Sequence, residues 1–203
     1  MKIAIAGASG QAGSRLTAEL ARRGHHITAI ARNPERIANL PGVTAMAGDA
    51  NDLTALTRLW AGHDVAISAI HFLVSDPEIL IGAAKASRVG RYLVVGGAGS
   101  LEVAPGVRLV TTAAFPPQYK AEATKGADFL DRLQREKELN WTFLSPSALF
   151  VAGERTGKFR LGTDQLLTAA DGRSSISFED FAVALADEIE RPAHLRCRFT
   201  VGY

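Results

Sequence analysis

The chain has a single cysteine, Cys197, in 203 residues, so it has no internal disulfide and no thiolate pair to hold a metal. Cys197 reads as a small packed hydrophobe in a protein of a reducing, cytoplasmic compartment. No apolar run approaches the ~18 residues of a membrane helix, and the run at Ile3–Ala6 stops at Gly7, too short for a signal peptide. Charge of one sign is also missing. With 23 basic and 21 acidic residues the net charge is +2, and no block of like charge calls for a nucleic acid or an anionic membrane as partner. There is no internal repeat, no low-complexity segment and no cluster of metal-ligating residues. What is present is ordinary globular material, 47% hydrophobic and 22% charged, enough for a continuous core. The length fits one domain, not two of full size.

The pattern alternates. Ile3–Ala6 is a short strand; Gln11–Arg23 has helical spacing through Leu16, Leu20 and Ala21, closed by Gly24. His26–Ala31 is a strand, Pro34–Leu40 a short helix, Val43–Ala47 a strand. Asp52–Trp60 is a helix capped by Asn51 or Asp52, with capping favoured for Asp52. Then come strand Val65–Ala69, a helix near Pro77–Ser87 and strand Tyr92–Val95. Gly96–Pro117 lacks periodicity and predicts a long loop over the carboxyl ends of the strands. Helical spacing resumes at Tyr119–Lys137, and Trp141–Leu144 begins a strand ending at Pro146. Beyond it the rhythm fades: Lys158–Leu161 and Gln165–Thr168 read as short strands or turns, Phe178–Ile189 as a helix, Arg196–Val201 as a last strand. Strands separated by helices need right-handed crossovers, which predicts an α/β fold with a doubly wound parallel sheet of Rossmann type. Residues 1–203 form one domain, with 1–146 the core and 147–203 a small C-terminal substrate-side lobe packed on it.

The sharpest local signal is Gly7-Ala8-Ser9-Gly10-Gln11-Ala12-Gly13. Glycines at this spacing occur by chance, but here they leave a buried strand and open an amphipathic helix. Gly7 suits the tight turn, Gly10 lets a diphosphate approach the backbone, and Gly13 lets the helix lie against the strand. The helix mouth offers free N–H groups and partial positive charge to a dinucleotide, and Ser9 adds a hydroxyl. The second strand ends at Arg32-Asn33 with no carboxylate to accept from a ribose 2′-OH. Arg32, with Arg36 and Asn33 as helpers, therefore predicts NADPH, with NADH as the alternative. Asp49 is a candidate for the adenine amine. Ala69 and Ile70 end the fourth strand, where small residues let the cofactor ribose approach, and His71 follows close to the nucleotide.

These segments, together with Val95–Ser100, Trp141–Ser147, Gly153–Gly157 and Ile176–Ala182, resemble the atypical short-chain dehydrogenase/reductase superfamily over nearly the whole chain. The resemblance is narrower to bacterial NADH-flavin reductases, biliverdin reductase B and NmrA-like proteins. It implies a reductase with an active-site residue at Ser100 and a nicotinamide pocket lined by Pro146 and Ser147. The chain departs from the typical superfamily pattern at Tyr119. A Tyr-x-x-x-Lys dyad needs lysine four residues on, and Ala123 stands there, with Lys120 and Lys125 out of step. Tyr119 remains a candidate proton donor without its usual partner. A flavin acceptor delocalises the incoming charge and needs such an acid less.

Two functions follow. One is an NAD(P)H-dependent reductase that passes hydride to a planar acceptor such as a flavin or quinone, with Ser100 and Tyr119 beside it. Phe72, Phe115 and Phe150 are candidates to stack on that acceptor. The other is a non-catalytic NAD(P)-sensing regulator of the NmrA type. A monomer or a homodimer suits either.

Overall fold

Ile3 and Ile5 point to one side of the first strand and Ala4 and Ala6 to the other, and this alternation separates two hydrophobic cores. The structure is a computed structural model that describes residues 1–203. In chain order the elements are β1 (Lys2–Ala6), α1 (Gln11–Arg22), β2 (His26–Ala31), β3 (Val43–Ala47), α2 (Leu53–Trp60) and β4 (Val65–Ser68). Next are α3 (Pro77–Ser87), β5 (Arg91–Val95), the short β6 (Glu102–Ala104) and β7 (Val107–Arg108), and α4 (Pro117–Gln134). The chain ends with β8 (Trp141–Pro146), β9 (Leu149–Val151), β10 (Arg160–Gly162), β11 (Ser175–Ser177), α5 (Phe178–Glu190) and β12 (Cys197–Gly202).

Eight strands form the central sheet in the order β10-β12-β8-β5-β4-β1-β2-β3. All neighbours run parallel except β10, which lies antiparallel on β12 at the edge. Leu16 and Leu20 of α1 and Phe181, Leu185 and Ile189 of α5 cover the face carrying Ile3 and Ile5. Helices α2, α3 and α4 cover the other face, where Trp60, Tyr92, Trp141 and Phe143 are fully or almost fully buried over the small Ala4, Ala6 and Ala66. Large residues on the helices and later strands thus fill the space that alanine leaves on β1 and β4. The strand order reverses between β1 and β4, and in such sheets a crevice opens there at the carboxyl ends.

Several expected elements differ. Pro34–Leu40 is not a helix: one 3₁₀ turn, Pro34–Arg36, gives way to extended chain at Ile37. Only Ile37 and Leu40 are apolar enough there to anchor it, too little to repay helix nucleation. The predicted loop 96–117 contains 3₁₀ turns at Ala98–Ser100 and Leu109–Thr111 and a β6–β7 hairpin turning at Gly106, which has φ +73°. Strands of two or three residues are too short to register as a period. Gln165–Thr168 forms no strand; Gln165 makes an isolated bridge to Glu102. Leu149–Val151 and Ser175–Ser177 pair as a small parallel sheet that the sequence pattern does not disclose. Within 147–203, β12 inserts beside β8, β10 adds the edge strand on β12, and α5 packs on α1.

Candidate functional site

The turn after β1 is built by close backbone approach. Gly7 has φ +85°, and a β-carbon on it would lie 2.3 Å from the Ala69 carbonyl oxygen. A β-carbon on Gly13 would lie 2.1 Å from the Gly7 carbonyl oxygen, so the first turn of α1 rests on the strand end itself. Gly10 is different: its φ is −78° and its nearest obstacle, the Gly7 oxygen, stands 3.3 Å away. Glycine is dictated by the fold at 7 and 13; at 10 a β-carbon would fit only tightly, and its absence keeps the backbone over the helix mouth clear. That mouth has no capping side chain and no acidic residue, whereas α2, α3 and α5 are capped by Asp52, Asp76 and Ser177. Unpartnered N–H groups at a helix start, with nothing negative beside them, are the chemistry a diphosphate requires. Exposed Gln11 and half-buried Ser9 border the turn. The residues present therefore fit a dinucleotide.

The flanking candidates gather at the same end of the sheet. Arg32 leaves β2 exposed, and neither it nor Arg36 belongs to an ion pair. Asp49 is exposed, with Oδ1 accepting the Asn51 N–H at 2.9 Å. The Ala69 N–H donates to the Ala6 carbonyl at 2.8 Å, which fixes Ala69 and Ile70 against the glycine turn. Pro146 ends β8 and is buried.

Ser100 and Tyr119 are set differently. Ser100 is 3% exposed, and its Oγ accepts from the Arg198 guanidinium at 3.3 Å. Arg198 is held in turn by Asp164, whose Oδ1 accepts from Nε at 2.9 Å. Tyr119 lies on the first turn of α4, 62% exposed, with no partner for its hydroxyl. Ala123, where a lysine would complete the dyad, lies directly on the glycine-rich turn after β5: a β-carbon on Gly99 would be 2.8 Å from the Ala123 β-carbon. Gly99 thus makes room for Ala123, and the position where the dyad's lysine would stand is half-buried.

Three groups escape the sequence patterns. Glu122 of α4 reaches back to the segment after β4, accepting the Phe72 N–H at 2.7 Å and the Leu73 N–H at 2.9 Å, while Oε1 lies 3.3 Å from His71 Nδ1. One turn further, Gly126 makes room for the Phe72 ring, which a β-carbon would meet at 2.8 Å. On the opposite face, the segment 152–158 has no regular structure but is strapped to α1 and α5. Arg155 grips Glu19, Gly153 N–H donates to Glu179 at 2.9 Å, and Gly157 N–H donates to Asp180 at 2.8 Å. Burial alone would raise the pKa of Glu19, but Arg155, Arg22 and Arg23 outweigh it and hold the carboxyl far below its usual range. Arg15, which pairs with Glu179 at 3.0 Å, also touches Gln11 Oε1 at 3.2 Å and so links the strap to the helix mouth.

Comparison with known proteins agrees with this geometry. A family model described as NAD(P)H-binding matches residues 7–192. The chain is 40% identical over 209 residues to YwnB of Bacillus subtilis strain 168, an uncharacterized protein, with 99% of this chain and 98% of YwnB covered. A crystal structure from Burkholderia pseudomallei, provisionally named an exported protein, superposes with a TM-score of 0.91 at 43% identity over 100% of both chains. A Streptococcus pneumoniae TIGR4 protein, provisionally named an NADH-flavin reductase, gives 0.83 at 34% identity over 100% of this chain and 99% of its own. No helix here is long and apolar enough to cross a membrane.

Proposed function

The chain belongs to the NAD(P)H-binding family, and on that premise we propose that it is an NADPH-dependent reductase of a planar acceptor such as a quinone or flavin. The observation that carries this reading is the uncapped mouth of α1, over a turn where Gly7 and Gly13 admit no β-carbon and Gly10 leaves the approach open. Backbone N–H groups of Gln11–Gly13, helped by Ser9 and the Gln11 side chain, hold the diphosphate. Arg32 takes the 2′-phosphate as a planar fork, and Asp49 receives the adenine amine. Ala69 and Ile70 border the ribose, and Pro146 backs the nicotinamide. Ser100 and Tyr119 flank the acceptor. Bound NADPH supplies a hydride from its nicotinamide; the protein supplies proximity and orientation. The single cysteine suits a reducing cytoplasm, where NADPH is regenerated.

One observation favours a second reading, a non-catalytic NAD(P)-sensing regulator: Ala123 stands where the Tyr–Lys dyad would have its lysine, and Tyr119 is exposed with no partner for its hydroxyl. Mixing pure protein with NADPH and either FMN or 1,4-naphthoquinone separates the two. Protein-dependent loss of nicotinamide absorbance supports the reductase, and tight NADPH binding without turnover supports the regulator.

A further inference from the structure

The chain has five histidines. Four of them lie at the amino-terminal end of the parallel sheet, away from the glycine turn. His25 precedes β2 and His26 begins it, His63 precedes β4 in a polar depression shared with Lys2 and Thr28, and His194 precedes β12. His71 alone stands at the carboxyl end. It follows Ala69 and Ile70, which touch Gly7, and precedes Phe72, whose ring lies 3.6 Å from where a Gly97 β-carbon would be. His71 is thus placed between the turn after β1 and the turn after β5, and it is 86% exposed.

We propose that His71 is the proton donor of the reductase, with Glu122 as its positioning residue, in place of the absent Tyr–Lys dyad. This rests on the reductase reading above. Glu122 Oε1 faces Nδ1 at 3.3 Å and leaves Nε2 toward solvent, while the two backbone N–H bonds from Phe72 and Leu73 immobilise the carboxylate. A fixed carboxylate behind an imidazole orients the ring, with Nδ1 toward Glu122 and the other nitrogen free to meet an acceptor. Glu122 is the one charged group within hydrogen-bond distance of the ring. Lys120 and Lys125 lie on the same helix, Asp76 begins α3 beyond Ser75, and the segment 71–75 is itself uncharged. The other candidates are less suited: Ser100 is buried against Arg198, and the Tyr119 hydroxyl has no partner to orient it.

The chemistry balances. A quinone that receives a hydride becomes a hydroquinone monoanion, and the nicotinamide is oxidised by two electrons. The imidazolium of His71 gives its Nε2 proton to the anionic oxygen, so the N–H bond breaks as the O–H bond forms. Solvent then reprotonates the ring. A positioned general acid contributes typically about 10²- to 10⁴-fold.

The test uses the full chain with NADPH and 1,4-naphthoquinone. His71→Gln should lower kcat about 100-fold, remove the fall in rate on the alkaline side, and leave the NADPH Kd unchanged. Glu122→Gln should lower kcat at least about tenfold. The loss in Glu122→Gln should fall on kcat with the NADPH Kd unchanged. Melting curves confirm that each variant is folded, and His71→Asn repeats the readout if His71→Gln is not. A wild-type turnover that His71 variants retain with the same pH profile, or a Glu122→Gln kcat equal to that of the wild type, overturns the proposal and leaves the reductase intact. Absence of wild-type turnover with every acceptor overturns the reductase reading and the proton donor with it.

Discussion

Arg155 and Glu19 meet through two parallel hydrogen bonds of 2.8 and 2.9 Å across 136 residues of sequence. This bidentate contact fastens an otherwise irregular segment to the helix that starts at the glycine turn. Glu19 is 5% exposed and also takes Arg22 and Arg23, so its removal takes a partner from three cations, of which Arg23 keeps Asp187 and Glu190 while Arg22 and Arg155 reach solvent. Glu19→Ala should cost roughly 2 kcal/mol of folding stability through several lost charge-assisted hydrogen bonds. Arg155 is 43% exposed and leaves Glu19 still paired, so Arg155→Ala should cost only about 1 kcal/mol. Urea unfolding curves for the two variants check the difference.

Acid should unfold the protein through the same kind of group. Burial opposes charge on Glu19, Glu179, Glu188 and Glu190, yet arginines, histidines and backbone N–H groups lower all four below the ordinary glutamate range. A carboxylate with a depressed folded pKa stabilises the fold above its unfolded pKa, near ~4.3, and that contribution is lost as pH falls through the folded value. The melting temperature should therefore hold steady from neutrality to about pH 5 and fall steeply below ~4.3. Glu19→Gln should melt lower at pH 7 and show a shallower acid slope. Calorimetric scans between pH 3 and 7 measure both.

The glycines of the turn should separate by role. Gly13→Ala drives a β-carbon into the Gly7 carbonyl, against backbone that has no side chain to yield, and should cost about 3 kcal/mol. Gly10→Ala meets nothing closer than 3.3 Å and needs no unusual φ. It should melt well above Gly13→Ala, because that contact asks for a shift of only a few tenths of an ångström, while the Kd for NADPH rises at least about tenfold, ~1.4 kcal/mol. Melting and binding measured side by side distinguish a glycine kept for the fold from one kept for the ligand.

Arg32 should set cofactor preference. It is exposed and has no carboxylate partner, so its loss costs the fold nothing. Arg32→Ala should weaken NADPH by roughly 10- to 100-fold, the worth of a charge-assisted fork, and NADH by less than about threefold. Equal losses for both nucleotides would remove the assignment of the 2′-phosphate to this residue.

Legibility in the sequence followed distance along the chain. The β1–turn–α1 unit was readable because strand, glycine spacing and helix period all lie within about 20 residues, and the turn's neighbours in space are its neighbours in sequence. The capping of α2 by Asp52 was readable for the same reason. The insertion of β12 beside β8 was not, since parallel pairing across 55 residues leaves no local mark. Glu122 binds Phe72 across 50 residues and Arg198 binds Ser100 across 98. In sequence each is only a charged residue on a helix or strand. Tyr119 illustrates the reverse case: the missing lysine was plain, but the contact of Ala123 with Gly99 needed the packing of α4 on the turn after β5.

The central claim is that amide hydrogens at the start of α1 close around a diphosphate. An amide NMR titration of the full chain with NADPH tests it most directly. The account predicts saturable shifts concentrated at Gly7 to Gly13 and at Arg32, much larger than those at the histidine-lined amino end of the sheet. Unmoved amides in that turn at millimolar NADPH would contradict it.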